Sequence, residues 1–219
     1  MRKPLASAAA AAAASLSFAA LALPARAQNF QNGSPDTILY GNLRFTASPV
    51  QLFGTNGGPD RTGGAFRLGY GVTDSLDVEA KTGFFDGFSL VGGDGRYQFL
   101  RGETSLAVTA GGHQAIIHSG HDSTALDLAA QMSRRLRPRV EVYMGPAFSY
   151  ETIHGVPDSG FSRWYVVPGF RWGANDRFDV LVEGGVGLNH DSPSYVTGGV
   201  AVFVPVAAGA HRHRDLERR

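Results

Sequence analysis

A strict alternation of apolar and charged residues is the feature that most constrains the fold of this 219-residue chain. In residues 76–84, mostly apolar side chains occupy the even positions, whereas Asp77, Glu79 and Lys81 occupy odd positions. A period of two sends consecutive side chains to opposite faces of a β-strand. The same alternation recurs along most of the chain after Asp36, so the sequence predicts an all-β protein.

Ten segments show or approximate this alternation, which predicts ten strands. The segments 38–46, 96–100 and 104–117 fit less cleanly, and counting 96–100 as a loop leaves eight or twelve strands as alternatives. The connections between strands fall into two alternating classes. Four are short (72–75, 101–103, 137–139 and 174–177), and five are longer (48–63, 86–95, 118–122, 152–161 and 189–194). Short turns at one end and longer loops at the other are typical of an antiparallel up-and-down barrel, whose closure leaves no free strand edge.

The two ends of the chain predict export and a basic tail. Arg2 and Lys3 precede an Ala/Leu-rich run, and Ala25-Arg26-Ala27 is a typical cleavage site, so residues 1–27 are predicted to be a signal peptide. An uncleaved membrane helix is the alternative, although the run is mostly alanine and ends in a processing site. The barrel is then expected over residues 28–206, and residues 207–219 form a basic tail.

Charge and cysteine content exclude several classes of function. Cleavage removes three of the 20 basic residues and none of the 19 acidic ones. The mature chain is therefore close to neutral, which gives no electrostatic basis for nucleic-acid binding. The chain has no cysteine, which excludes disulfides, thiolate metal sites, a cysteine nucleophile and lipid attachment through cysteine.

Alternation alone does not decide which face meets lipid, because a soluble barrel would turn its apolar face inward. Three features favour lipid: few large residues on the apolar face, aromatic residues at strand ends, and a balanced set of charges on the other face. Trp164 and Trp172 lie eight residues apart, roughly 26 Å along a strand before tilt, which suits two interfacial girdles. The predicted girdle residues are Tyr70, Trp164, Trp172 and Phe178.

The charged face predicts a polar lumen that side chains largely fill and in which the charges pair with one another. A polar conduit through the barrel is the alternative reading of the same residues. The predicted lumen residues are Arg44, Arg67, Asp77, Glu79, Lys81, Arg96, Asp127, Glu141, Arg163, Arg171, Asp179 and Glu183.

Two segments, Tyr-Gly-Val-Thr-Asp-Ser-Leu-Asp-Val at 70–78 and Trp-Gly-Ala-Asn-Asp-Arg-Phe-Asp-Val at 172–180, resemble the strand-turn-strand units of bacterial outer-membrane β-barrel proteins, in particular the porin-like and transporter-like small barrels. The resemblance implies residence in the outer membrane of a Gram-negative bacterium, with both termini periplasmic. It also implies contact with outer-membrane lipid and lipopolysaccharide, and recognition by the barrel-assembly machinery through the last strand near Phe203.

Histidines in the longer loops raise two further hypotheses. One is an outer-membrane hydrolase of the lipid A deacylase or protease type, with His190, Ser192 and His154 as weak catalytic candidates. The other is a metal site, for which the weak candidates are His118, His121 and Asp122.

The leading hypothesis is a non-enzymatic membrane barrel with a structural or small-solute passage role and no cofactor. The alternatives are the rim hydrolase and a soluble periplasmic binding barrel.

Overall fold

The computed structural model describes residues 34–55 and 58–206, so the predicted signal peptide and basic tail lie outside the described residues. The described chain forms one antiparallel sheet of twelve strand segments. In chain order they are β1 (Asn42–Leu52), β2 (Arg61–Gly71), β3 (Leu76–Phe85), β4 (Phe88–Leu100), β5 (Thr104–Ile117), β6 (Ser123–Arg137), β7 (Val140–Met144), β8 (Pro146–Ile153), β9 (Phe161–Val166), β10 (Gly169–Gly173), β11 (Phe178–Gly187) and β12 (Tyr195–Pro205).

The sheet closes into a barrel of ten strands. Segments β1 to β6 pair with one another in chain order, and so do β11 and β12. β1 also pairs with β12, which completes the ring. Segments β7 and β8 both pair with β6, and β9 and β10 both pair with β11, so each couple forms the two halves of one interrupted strand. The prediction of an up-and-down barrel with ten strands is therefore confirmed.

Proline explains both interruptions. Pro146 begins β8, and Pro168 lies between β9 and β10. Proline has no N–H to donate to the sheet, so the regular pairing stops at each of them. The two breaks face each other across neighbouring strands, where the Val167 N–H donates to the Gly145 carbonyl at 2.9 Å.

Side-chain orientation alternates as the sequence predicts. Along β6, Leu126 and Leu128 are 54% and 42% exposed, whereas Asp127 between them is 1% exposed. The same contrast holds around the ring, with apolar side chains outside and charged ones inside. This orientation is opposite to that of a soluble barrel and matches a strand-built membrane protein.

No helix in the described part of the chain is long and apolar enough to cross a membrane.

Three sequence-based boundaries are wrong. The predicted loop 86–95 is a two-residue turn, Asp86-Gly87, with φ +88° at Gly87, and residues 88–95 belong to β4. Glycines at 92, 93 and 95 hid this strand, because they carry no apolar signal. β1 extends to Leu52 and β2 begins at Arg61, so both strands include residues of the predicted loop 48–63, and β1 begins at Asn42 rather than at residue 38. We call the end with the four short turns the turn end and the opposite end the loop end.

We predict that Gly145→Ala destabilises the barrel. A Cβ at this position would lie 1.9 Å from the Ala130 carbonyl oxygen and 2.8 Å from Gln131 Cα. Overpacking against backbone costs about 1–3 kcal/mol. The check is denaturant unfolding followed by tryptophan fluorescence. Gly184→Ala is the matched control, since a Cβ at this position would meet nothing nearer than the backbone carbonyl oxygen of Tyr195 at 3.6 Å. Equal midpoints for the two variants would contradict the prediction.

Candidate functional site in the barrel lumen

The structure places all twelve predicted lumen residues inside the barrel. Each has a relative exposure of 8% or less. They come from β1, β2, β3, β4, β6, β7, β9, β10 and β11, so the charges surround the lumen rather than lining one side of it.

Glu79 is the centre of the first ion-pair group. Its carboxylate accepts from Arg44 Nη2 at 2.6 Å and from Arg67 Nη1, and Arg67 Nη2 also lies 3.8 Å from Asp94 Oδ2. These side chains come from four adjacent strands, β1 to β4. Two buried guanidinium groups thus share one carboxylate, and removal of that carboxylate would leave both without their main counter-charge.

The network continues across β3 to β8 through Lys81 and Asp127. Lys81 Nζ donates to Asp94 at 2.9 Å and to Asp127 at 3.1 Å. Asp127 also bonds His113 Nδ1 at 2.7 Å and accepts from Ser149 Oγ at 2.8 Å. Side chains from three other strands, β3, β5 and β8, therefore converge on the Asp127 carboxylate of β6, which is almost completely buried.

Sheet register explains why these groups meet. Glu79 pairs with Asp94, Asp94 with Gly111, and Gly111 with Asp127. The three carboxylates therefore follow one line across the strands. Gly111 is required on this line, because a Cβ there would lie 2.2 Å from Asp94 Oδ1.

Two smaller groups lie nearer the loop end. Arg163 Nη2 is 2.7 Å from Glu151 Oε2, and Ser123 Oγ donates to Glu151. Glu183 accepts from Tyr195 OH at 2.7 Å and Tyr143 OH at 3.2 Å.

Sequence reasoning missed three strand residues of the lumen ion-pair network: Asp94, Glu151 and His113. The signal that could have found two of them is their spacing of two residues from other inward-facing residues. Asp94 and Arg96 share a face, and Glu151 continues the inward series of Ser149. Assignment of residues 86–95 to a loop concealed the first of these.

The loop end of the lumen is apolar where β1 to β5 and β12 line it, whereas Ser123, Glu151 and Arg163 make it polar on the side of β6, β8 and β9. Phe85 and Phe88 stack with ring centroids 4.8 Å apart, and Arg61 lies 5.6 Å from the Phe88 ring. The buried cluster around them comprises Val50, Leu52, Ala65, Phe85, Phe88, Leu90, Ala115, Ile117 and Tyr195. The sequence predicts the charged part of the lumen but not this apolar part, in which inward positions next to the loops carry apolar side chains that pack together.

Residues 34–39, here called the N-terminal segment, enter the turn end of the barrel. The Ile38 N–H donates to Asp77 Oδ2 at 2.9 Å, and the Thr37 N–H donates to Gln98 Oε1 at 3.1 Å. Arg96 Nη1 donates to the Ser34 carbonyl at 3.0 Å. Much of the segment is buried. The sequence did not predict this, because alternation reports strand faces and the segment belongs to no strand.

Asp36 is the charged residue of the N-terminal segment, and its carboxylate contacts the barrel wall from both oxygens. Its Oδ1 accepts from Ser105 Oγ at 2.9 Å and from Gln98 Nε2 at 3.1 Å. Its Oδ2 lies 2.9 Å from Arg171 Nη2 and 3.9 Å from Arg135 Nη2. Burial by itself raises the pKa of the Asp36 carboxyl, but Arg171, the Ser105 hydrogen bond and the other arginines together hold that pKa below its ordinary value.

Two glycines of β2 make room for the N-terminal segment. A Cβ at Gly71 would lie 2.1 Å from the Leu39 carbonyl oxygen, and one at Gly69 would lie 2.4 Å from Ile38 Cδ1. The wall is therefore shaped around the segment.

The loop histidines are dispersed around the loop end. Ser192 Oγ donates to Asn189 Oδ1 and accepts from the Trp164 N–H at 2.9 Å. His190 is exposed, and His154 Nε2 lies 2.9 Å from Thr124 Oγ1. The Ser192 hydroxyl thus holds its own loop to β9.

The metal candidates are also engaged locally. Asp122 Oδ1 accepts from the Ile117 N–H at 3.0 Å, His118 Nε2 lies 3.5 Å from Ser89 Oγ, and His121 is exposed. Within residues 34–55 and 58–206, no group of three or more His, Asp or Glu side chains could hold a metal ion.

The predicted girdle residues face outward. Trp164 and Trp172 are 48% and 47% exposed, Phe178 is exposed, and Tyr70 is half-buried on the outward side of β2. Trp172, Phe178 and Tyr70 lie toward the turn end, and Trp164 lies toward the loop end.

A closed barrel with an apolar exterior and an ionic interior defines the class of transmembrane β-barrels.

No family model and no curated protein sequence matches this chain. Among solved structures, it is similar to an outer membrane channel from Pseudomonas putida F1, at 9% identity and a TM-score of 0.55, covering 80% of this chain and 100% of that one. It is also similar to Ail from Yersinia pestis (10% identity, 75% and 99% coverage, TM-score 0.41) and to OprG from Pseudomonas aeruginosa (12% identity, 78% and 99% coverage, TM-score 0.40). The chain has the fold of bacterial outer-membrane β-barrel proteins.

We predict that Glu79→Ala strongly destabilises the barrel. The change leaves Arg44 and Arg67 buried without their shared carboxylate, and breaking a buried ion pair costs about 3–5 kcal/mol. Denaturant unfolding measures the loss. Glu103→Ala, an exposed position in the turn 101–103, is the matched control and should change stability by less than about 0.5 kcal/mol. A Glu79→Ala barrel as stable as this control would refute the ion-pair account.

We also predict how pH affects the Asp36 contacts. Because the pKa of Asp36 is lowered in the folded state, the contribution of its ionised form to stability is complete above the ordinary carboxyl pKa. That contribution is lost only as pH falls through the lower, folded-state value. The measurement is the difference in unfolding free energy between wild type and Asp36→Asn. It should stay constant from neutral pH to about pH 4 and shrink below that. A difference that already disappears near pH 6 would show the opposite shift.

Proposed function

We propose that this protein is an outer-membrane barrel of a Gram-negative bacterium whose lumen is closed to solutes in this conformation. In this proposal residues 1–27 are removed as a signal peptide, and the turn end faces the periplasm with both termini. Three layers that follow one another along the lumen support closure. They are the apolar cluster around Phe85 and Phe88, the ion-pair network around Asp127, and the N-terminal segment at the turn end.

The ion-pair network carries the proposal, because stabilisation of the barrel wall is enough to explain why so many charged side chains lie inside it. Ion pairs between strands that are not adjacent tie the wall together through the lumen: Glu79 joins β3 to β1, and Asp127 joins β6 to β3. Outside, lipid covers the apolar side chains, and closure leaves no sheet edge to pair with another chain. Partners expected from this placement are outer-membrane lipid, lipopolysaccharide and, during assembly, the machinery that recognises the last strand near Phe203.

Small-solute passage is the second candidate, and the polarity of the lumen favours it. Within the described chain, several buried polar atoms have no hydrogen-bond partner, among them Thr46 Oγ1, Arg96 Nε and His113 Nε2. Such atoms bond water in folded proteins, so the middle of the barrel is polar rather than a dry core. Passage then requires the N-terminal segment to leave the turn end.

The rim hydrolase receives no comparable support, since the Ser192 hydroxyl is bonded to Asn189 and to the backbone of Trp164.

The test is conductance of the purified full-length mature protein in planar bilayers. We predict silent traces with rare, brief openings. Asp176→Asn, an exposed change in the turn 174–177, serves as the control and should leave the traces unchanged. Steady ohmic conductance of the wild-type protein would contradict the closed lumen.

A further inference from the structure

The barrel wall contains a complete receptor for a carboxylate. Four side chains from β4, β5, β6 and β10 converge on the two oxygens of Asp36. Ser105 and Gln98 donate to one oxygen, and the arginines Arg171 and Arg135 face the other. Paired neutral and guanidinium donors of this kind are how proteins bind carboxylates.

The group that occupies this receptor comes from outside the sheet. Asp36 lies in the N-terminal segment, which belongs to no strand and whose backbone N–H groups at Thr37 and Ile38 donate to side chains of the wall rather than to its backbone. The barrel can therefore keep its strand pairing when the segment leaves. Departure of Asp36 would remove its carboxylate from beside Arg171 and Arg135. The two arginines would then attract another anion.

The surroundings select the charge of a replacement. Arg171 Nη2 also lies 2.6 Å from Glu141 Oε2, and Arg171 Nε is 4.0 Å from Asp179 Oδ2. These two carboxylates repel an anion with more than one charge. The receptor thus fits a planar, singly charged carboxylate better than a phosphate or a sulfate.

We propose that Gln98, Ser105, Arg135 and Arg171 form a carboxylate-binding site at the turn end, which Asp36 occupies in cis and which a small free monocarboxylate takes when the N-terminal segment leaves. The proposal rests on the proposed closed lumen and extends it: exchange of Asp36 for a free carboxylate couples ligand binding to opening of the turn end.

Chemical rescue tests the site. The chain has no cysteine, so Ala107→Cys provides a single thiol at the next inward position of β5 after Ser105. The reporter is the rate at which N-ethylmaleimide labels the folded, reconstituted full-length barrel. Asp36→Ala should speed labelling about tenfold or more, the effect of losing charge-assisted hydrogen bonds to one buried carboxylate. Acetate should then slow it again, whereas acetamide, its neutral counterpart, should not.

Controls separate the site from general loosening. Ala125→Cys, an inward position toward the loop end of β6, should label at a rate that Asp36→Ala does not change. Arg135→Gln combined with Asp36→Ala should raise the acetate concentration needed for rescue. Asp36→Asn keeps the side-chain shape and should also speed labelling, and electrophoresis of unheated samples verifies that each variant is folded.

Each result supports or overturns the proposal. Acetate-specific slowing supports it. Fast labelling that acetate and acetamide affect equally overturns the carboxylate site, and labelling of the Asp36→Ala barrel at the wild-type rate overturns the role of Asp36. Rapid labelling of Ala107→Cys without any change at Asp36 would instead count against the closed lumen itself, so the two failures are distinguishable.

Discussion

Compensation of charge inside a narrow cylinder is the constraint on which the rest of this structure depends. An isolated buried charge is costly unless it is paired and hydrogen-bonded, and the side chains of a ten-stranded barrel lie close enough together to supply those partners. The chain meets this constraint with side chains that share counter-charges, since Glu79 serves two arginines, and Lys81 serves both Asp94 and Asp127. The apolar exterior follows directly, because the same period of two that sends charges inward sends aliphatic and aromatic residues outward.

The N-terminal segment extends the same principle to the turn end. Asp36 supplies a carboxylate to Arg171 and Arg135, and Asp77 accepts from the backbone of Ile38. Much of the loop end is filled differently, by apolar packing around Phe88. The two ends of the lumen therefore differ in chemistry: ion pairs and hydrogen bonds fill the turn end, whereas apolar packing fills much of the loop end.

Alternation in the sequence was sufficient to predict the all-β class and which charges share a face, because a period of two is a local property of the chain. The barrel of about ten strands also required the two classes of connection, and placing the charges inside also required the aromatic strand ends and the balance of charge. Alternation was insufficient where glycines interrupt the pattern, which is why residues 86–95 were assigned to a loop and Asp94 was missed. It also gave no signal for residues 34–39, whose position depends on contacts with wall residues more than 35 positions away in sequence, such as Asp77 and Gln98. Long-range contacts of that kind leave no periodic trace.

The most direct test of this account is the accessibility of spin labels placed one at a time on β6 in reconstituted vesicles. Labels at Leu126 and Leu128 should collide with oxygen dissolved in the lipid and resist a water-soluble nickel complex. Labels at Ala125 and Ala129, which point inward, should be shielded from the lipid phase. Lipid contact at the two alanines, with water contact at the two leucines, would show that the ionic face is not the interior and would contradict the account.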